Sequence, residues 1–479
     1  MSYAMKRHAL FLSLAALNLA VAAPAFAQKN DQRDAQIKAL KALVEKQQQQ
    51  LDQQQQDLKQ MHDALTQLQN QQTQQQTQIQ QTQQVQAQQA KTMAAVPAKP
   101  IFSSAPGVSV ALHGFIDATA FSQSRNFTFG NGQNAEYPIP GAPGRLSGVD
   151  VRNTRFWLDF SGAKVAGDWT GGGRLELDFF GGNNGTGPYS QQQPLPRLRQ
   201  AYMTLTNPLT GSNFQIGQMW DLMFPLDDLP TSLSHIAFPL GYGTGIIGWR
   251  LPGIIFSQDL NHGSTGPLWR LDVGAFEGTW SGPGNPVNYI SAANAGFRPQ
   301  LEAKLHLEQP KDWLLFAAAH WSQINLAGVG NSAPTPIKRE FSSTAFELGG
   351  QWTPDPWVFR SVVYTGRGIG QIFGDLSQFG DIKDTGGYVM GGYKFNPNWS
   401  SNLFYALSKP NANEVVRWLG NGATGLLKNR QAAANLIYSV GDYSFALEWI
   451  HSMLDSTTNG KTRTRTSGNQ VNVSAYYKF

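Results

Sequence analysis

A chain of 479 residues without a single cysteine has no disulfide, no thiolate metal site and no cysteine nucleophile. Its formal charge of +5 is mild and is not gathered into a basic helical stripe, which argues against nucleic acid as a partner. Mean hydropathy is −0.33, and after the first residues no stretch is apolar for long enough to make a membrane helix, so any membrane crossing must be made by strands.

The N-terminus reads as a secretory leader. Lys6 and Arg7 supply positive charge, an apolar run follows from Ala9 to Ala23, and Ala25-Phe26-Ala27 is a small-x-small cleavage site before Gln28. This predicts a signal peptide over 1–27 and a mature chain that begins near Gln28. A Gln-rich helix is predicted from about Asp31 to Gln89. Ile37, Val44, Leu51, Leu58, Leu65 and Ile79 recur at one heptad position and Leu40, Met61 and Leu68 at the other. Gln47, Gln54 and Gln72 interrupt that seam, so the coiled coil, assigned to 28–90, is weak alone; a disordered spacer is the alternative reading of the same composition. Lys91 to Pro106, with Pro97, Pro100 and Pro106, reads as a linker without periodicity (91–106).

The remainder, 107–479, carries an aromatic beat. Trp269, Trp313, Trp357, Trp399 and Tyr443 follow short polar turns at intervals of about 44 residues, and Trp169 and Phe214 extend the series upstream. Each opens an alternating apolar/polar run. A hairpin of two strands of roughly 9–11 residues, with an aromatic at the same end each time, is the one-dimensional pattern of a transmembrane β-barrel with an aromatic girdle. About sixteen antiparallel strands are predicted: 108–122, 151–161, 170–180, 197–206, 213–221, 247–257, 267–278, 299–308, 312–322, 342–352, 357–366, 386–395, 399–408, 427–438, 443–452 and 469–479. Short turns such as Gln309–Asp312 and Asn396–Asn398 alternate with long connections, which predicts one rim of turns and one of loops. The chain ends on the alternating run Val471–Phe479, which looks like the strand by which the outer-membrane barrel assembly machinery recognises its clients, with Phe479 as the terminal aromatic.

Neighbours in a strand point to opposite faces, so parity assigns the interior. Leu175 and Leu177 outward place Arg174, Glu176 and Asp178 inward. Trp269, Leu271 and Val273 place Arg270 and Asp272 inward; Leu301, Leu305 and Leu307 do the same for Glu302, Lys304 and His306. Phe156, Leu158 and Phe160 place Arg155 and Asp159 inward, and Arg360 and Glu448 follow the same rule. A mid-membrane Arg or Lys facing lipid costs roughly 2–4 kcal/mol, which enforces this sorting. The predicted lumen is polar and of mixed charge, suited to water and solutes rather than to a packed core. Any single inward charge is equally consistent with an ion pair that braces the wall.

Several motifs resemble a known family. Thr154-Arg155-Phe156, the run Gly171 to Gly181, Arg197-Leu198-Arg199-Gln200-Ala201-Tyr202, Ile216-Gly217-Gln218-Met219-Trp220 and Asp227-Asp228-Leu229-Pro230 are similar to the DcaP-like outer-membrane porins, most closely over about 150–260. That resemblance implies a homotrimer of sixteen-stranded barrels in the outer membrane of a Gram-negative cell, an N-terminal coiled coil in the periplasm, and uptake of small anionic solutes, dicarboxylates among them. A looser likeness to general porins implies a constriction with arginines facing an acidic inward loop. By motif, Arg155, Arg199 and Arg250 take the arginine positions, and the connection Leu222–Ile246, with Asp227, Asp228 and His235, is the loop. Parity around Arg199 is ambiguous, since it shares a face with Met203 and Leu205, and the Asp pair opposes a strict preference for anions. A phosphate- or polyphosphate-selective porin and a tether between outer membrane and cell wall are the alternatives. No G-x-S-x-G or H-E-x-x-H is present and the histidines are scattered, so the sequence predicts neither an enzyme nor a metal site or cofactor.

Overall fold

The computed structural model describes the backbone of 101–105 and residues 107–128, 136–182, 194–277, 298–325, 338, 340–371, 376 and 379–479, with Lys41, Glu45 and Lys59 of the N-terminal unit, which are helical and exposed. The predicted signal peptide and the rest of the predicted coiled coil lie outside the described residues. The C-terminal unit, Lys99–Phe479, is one closed antiparallel sheet. Its strands are β1 Ile101–Ala105, β2 Val108–Gln123, β3 Leu146–Asp150, β4 Arg155–Ala166, β5 Trp169–Asp178, β6 Arg197–Asn207, β7 Ser212–Trp220, β8 Arg250–Asp259 and β9 Leu268–Phe276. They continue as β10 Gln300–Gln309, β11 Trp313–Asn325, β12 Glu340–Trp352, β13 Trp357–Arg367, β14 Lys383–Lys394, β15 Trp399–Ser408, β16 Leu426–Val440, β17 Tyr443–Ser456 and β18 Thr464–Lys478, with a short helix α1, Ala412–Arg417, in the connection before β16.

Eighteen segments make a barrel of sixteen staves. β3 and β4 both pair with β2, at Thr119–Gln123 and at Ser109–Phe115, and so form one interrupted stave. The sequence reading of a strand over 151–161 is corrected here: Val151–Thr154 leaves the sheet. The physical reason is Asn153, which turns its side chain to a loop inside the barrel, donating to Ser234 O (2.8 Å) and accepting from Ala237 N (3.1 Å). β1 is a second correction. It pairs with the start of β2 and lies within the segment read as linker. Closure runs through β18 and β2, from Gln470↔Gln123 to Lys478↔Phe115. Phe479 then exchanges both backbone hydrogen bonds with Gly114, at 3.2 and 3.0 Å. The terminal residue is thereby part of the seam, and a Cβ at Gly114 would stand 2.7 Å from Arg155 O.

The aromatic beat marks one rim. Trp169, Trp313, Trp357, Trp399 and Tyr443 are the first residues of β5, β11, β13, β15 and β17, each directly after a short turn. Cross-strand register holds the rings level: Trp313 pairs with Trp352, Trp357 with Tyr393, Trp399 with Tyr438 and Tyr443 with Tyr477. Ring centroids in the last three pairs lie 4.6, 4.9 and 4.7 Å apart. Along the strands, exposed apolar residues such as Leu175, Leu301, Leu403, Trp449 and Val473 alternate with buried polar ones such as Glu176, Glu302, Asn402, Glu448 and Asn472. This is the burial pattern of a barrel with an apolar outside and a polar inside.

The interior is not polar throughout. The connection between β7 and β8 folds into the barrel and packs Phe224, Leu240 and Ile246 against Leu314, Phe316, Val362, Tyr388, Phe404 and Ile450 of β11–β17. One side of the interior is therefore a packed apolar core, where the sequence reading expected only a polar lumen. Alternation finds the inward face, but a loop that will lie on that face leaves no mark in the strand pattern.

Candidate functional site

The inward loop is closed at its neck by Asp221. Its carboxylate accepts from Phe224 N (2.9 Å) and Trp249 N (3.0 Å), while Asp221 N donates to Trp249 O (2.8 Å). Gly248 makes this closure possible: its φ is +108°, and a Cβ there would stand 2.4 Å from Phe224 N and 2.6 Å from Asp221 Oδ1. Gly248→Ala is expected to dislodge the loop and raise single-channel conductance severalfold in a planar bilayer, because both the left-handed backbone and the space exclude a side chain.

Polar groups of the far wall hold the loop in place. Leu222 N donates to Glu302 Oε2 (2.7 Å), Gly350 N to Asp228 Oδ2 (3.1 Å) and Asn435 Nδ2 to Thr231 O (2.8 Å). Arg360 Nη1 donates to Leu229 O (2.5 Å) and Thr231 Oγ1 (3.1 Å). Glu448 receives Ser234 Oγ and lies 3.0 Å from His235 Nδ1. Three residues expected on the inner face, Glu302, Arg360 and Glu448, thus serve as loop anchors. The Asp pair divides: Asp227 is exposed, while Asp228 is fully buried between the loop and the wall, where loss of hydration pushes its carboxyl up to about 8.

The loop also meets an arginine cluster on β4, β6 and β8, whose carboxylates come from β5. Arg199 donates to Glu176 Oε1 (2.5 Å) and to Asp178 Oδ2 (2.7 Å). Arg197 pairs with both oxygens of Asp178, at 3.0 and 2.7 Å, and Arg155 Nη1 stands 3.7 Å from Glu176 Oε1. Gln200 Nε2 donates to Glu176 Oε2 (2.9 Å). A bulge resolves the ambiguous parity of Arg199. Glu176 pairs with Gln200 but Leu177 with Leu198, so Arg199 is the extra residue of β6. Arg199 and Gln200 both turn inward, and Leu198 and Met203 remain outside at 44 % and 57 % exposure. A bulge that re-aims one side chain is a common device beside functional sites.

Arg250 completes the cluster with no ion pair among the described residues. Its guanidinium lies 4.8 Å from the ring of Trp220 and 4.5 Å from that of Trp249, and its Nη1 has no hydrogen-bond partner among the described residues. It is 6 % exposed. Aromatic walls come from the loop and from the end of β5: Arg197 stands 5.3 Å from Phe238 of the loop and from Phe180 just after β5, and Phe238 packs on Tyr242 (5.4 Å) and Trp249 (6.0 Å). Stacked guanidinium groups keep their edges available for a planar anion. Arg155, Arg197, Arg199 and Arg250 together outweigh Glu176 and Asp178, so the cluster carries net positive charge.

Arg155, Arg199 and Arg250, read from the sequence as lying on separate strands, fall on β4, β6 and β8, and the structure brings their side chains into one cluster. Sequence reasoning missed Arg197, which shares the alternating run with Arg199, and the aromatic set of Phe180, Trp220, Phe238, Tyr242 and Trp249. The remaining expected residues sit nearer the turn rim. Arg174 pairs with Asp159 (2.7 Å), Arg270 with Asp259 (2.8 Å) and Asp272 with His306 (2.8 Å). Arg270, Asp272, Lys304, Asp221 and Asp227 border a cavity of about 780 Å³ below the loop.

No protein-family model matches the sequence, and no curated protein matches it. Among solved structures, the chain is similar to the outer-membrane channel DcaP of Acinetobacter baumannii, with a TM-score of 0.59 and 20 % identity over 79 % of this chain and 99 % of that one. An anion-selective porin from Comamonas acidovorans matches with a TM-score of 0.48 and 14 % identity, over 78 % of this chain and all of the other (100 %). The first of these likenesses establishes a shared fold.

Proposed function

We propose that this chain is an outer-membrane porin of a Gram-negative cell, a passive diffusion channel that prefers small hydrophilic anions, dicarboxylates among them. The observation that carries this reading is the barrel with a loop folded inside it and, packed on that loop, an arginine cluster that outweighs its two carboxylates in charge. The similarity to DcaP and the motifs around Arg155, Arg199 and Trp220 support it. Arg155, Arg199, Arg250, Asp227 and Asp228 are assigned to the constriction, with Arg174, Glu176, Asp178, Arg270, Asp272, Glu302, Lys304, Arg360 and Glu448 on its inner wall. Several arginines in a narrow throat concentrate anions without binding them tightly, which would stall release. The mixed charge below the loop, where Asp259 and Asp272 accompany Arg270 and Lys304, is unlike the dense cationic staircase a phosphate-selective channel needs. Planar-bilayer recording in a salt gradient tests the function: an open channel with an anion-signed reversal potential, partly blocked by millimolar succinate and not saturated by phosphate, is expected. A closed barrel would favour the structural tether instead.

The assembly is proposed to be a homotrimer, with the predicted coiled coil in the periplasm as an added clasp. Its Gln-interrupted seam is too weak to hold three barrels alone. Deleting 31–90 is expected to leave trimers on native gels, and purely monomeric barrels would make the coil the sole source of assembly.

A further inference from the structure

On β14–β18 the outward faces change character toward the loop rim. Lower down they are apolar, with Val389, Leu403, Tyr405, Leu436, Trp449 and Val471 exposed at 54, 67, 46, 40, 44 and 42 %. At the loop end the same parity carries Lys383 on β14, Lys409 just beyond β15, Lys428 and Arg430 on β16, Asp455 on β17 and Arg465 on β18. Register gathers them: Lys428 is opposite Asp455, Asp455 is opposite Arg465, and Lys409 N donates to Thr385 O (2.8 Å).

The carboxylate in this set is already spent. Asp455 Oδ1 accepts from Arg465 Nε (2.7 Å) and Oδ2 from Arg430 Nη2 (2.7 Å), so it aligns two arginines side by side. Lys383, Lys409 and Lys428 have no ion pair among the described residues, and Lys428 feels three cations, Arg430, Lys409 and Arg465, against the single carboxylate of Asp455. The nearby acids are engaged by other donors: Glu414 binds Arg367 (2.6 Å) and accepts from the backbone Lys383 N (2.7 Å), and Asp384 is buried and receives Ser408 Oγ (3.1 Å). A cavity of about 490 Å³ opens here, bordered by Lys383, Lys409, Asn413, Lys428, Asp455 and Arg463. Like charges held together on a surface call for a multivalent anion, and the surface is continuous with the face that meets lipid.

We propose that this patch binds the phosphate groups of a phosphorylated lipid headgroup in the leaflet around the loop rim. The proposal rests on the reading of the chain as a membrane barrel and is independent of what the lumen conducts. Height and charge agree. The cations begin where the apolar band ends, the level at which headgroups lie, and each Lys or Arg near an anionic membrane surface strengthens attachment. Paired guanidinium groups match phosphate oxygens bidentately, while the lysines add point charge.

The full chain, purified in detergent, is to be titrated with diphosphorylated lipid A and with the same lipid after removal of both phosphates, and bound lipid read by native mass spectrometry. Retention of the phosphorylated form alone is expected. Lys409→Glu/Lys428→Glu should lower its affinity by about tenfold or more, from the loss and inversion of charges each worth about a kcal/mol near such a surface. Bilayer conductance should be unchanged, since both side chains face away from the lumen. Equal retention of the two lipids, displacement of lipid by millimolar inorganic phosphate, or a charge-reversed variant that binds like wild type would each overturn the proposal. The comparison of the two lipids on wild-type protein stands even if the variant does not assemble.

Discussion

Replacing Arg155 and Arg250 together with alanine is expected to shift the reversal potential toward cations and to weaken block of the ion current by a dicarboxylate. These two are the informative pair among the arginines read from sequence. Arg199 is 1 % exposed and already donates to Glu176 and Asp178, so removing it strands two carboxylates and confounds selectivity with stability. Arg250 Nη1 has no hydrogen-bond partner among the described residues, and Arg155 stands 3.7 Å from the carboxylate of Glu176. Two unit charges about 8 Å apart at an effective dielectric constant near 40 interact by about 1 kcal/mol, so two arginines together change relative permeability by about thirtyfold. Raising the salt should blunt the difference, because the screening length falls from about 10 Å at 0.1 M to about 3 Å at 1 M. Wild-type selectivity in the double variant would make both residues wall braces and move attention to cations such as Lys461 and Arg463 of the last outer connection.

The strands were legible because a barrel stave is a local object: alternation, a short turn and an aromatic at its foot are all written within one hairpin. β2 and β4–β18 fall where the pattern puts them, with ends displaced by a few residues. What the pattern missed has a non-local cause. β1 is a strand only because the start of β2 offers it an edge, and Val151–Thr154 leaves the sheet only because Asn153 serves the inward loop. The arginines were found from motifs, yet their state was not. Whether Arg199 faces inward depends on a bulge of one residue, and whether it is free depends on Glu176 and Asp178 across the strand pair. Glu302, Arg360 and Glu448 read as inner-wall charges by parity, and parity has no means to say that a loop will arrive to occupy them.

The second large effect is expected from the carboxylates. Glu176→Gln with Asp178→Asn leaves Arg197, Arg199, Arg155 and Arg250 crowded on three strands, β6, β4 and β8, with no opposite charge between them. Glu176 now accepts from Arg199 and Gln200, and Asp178 from Arg197, Arg199 and Phe180 N (3.1 Å). Breaking a buried pair by removing one partner typically costs about 3–5 kcal/mol, since the surviving charge keeps its desolvation penalty and loses its compensation. The doubly neutralised barrel should assemble poorly, with a large loss of the compact band on unheated gels. Adding Arg199→Met, which removes the most deeply buried cation and keeps an apolar stem, should restore much of that band. Recovery would show that Glu176 and Asp178 hold the arginine cluster together and that Arg199 belongs to the framework, leaving Arg155 and Arg250 to meet the solute. If the double neutralisation instead assembles normally and simply increases anion preference, the two acids are part of the filter, and the net charge of the throat is set by both signs together.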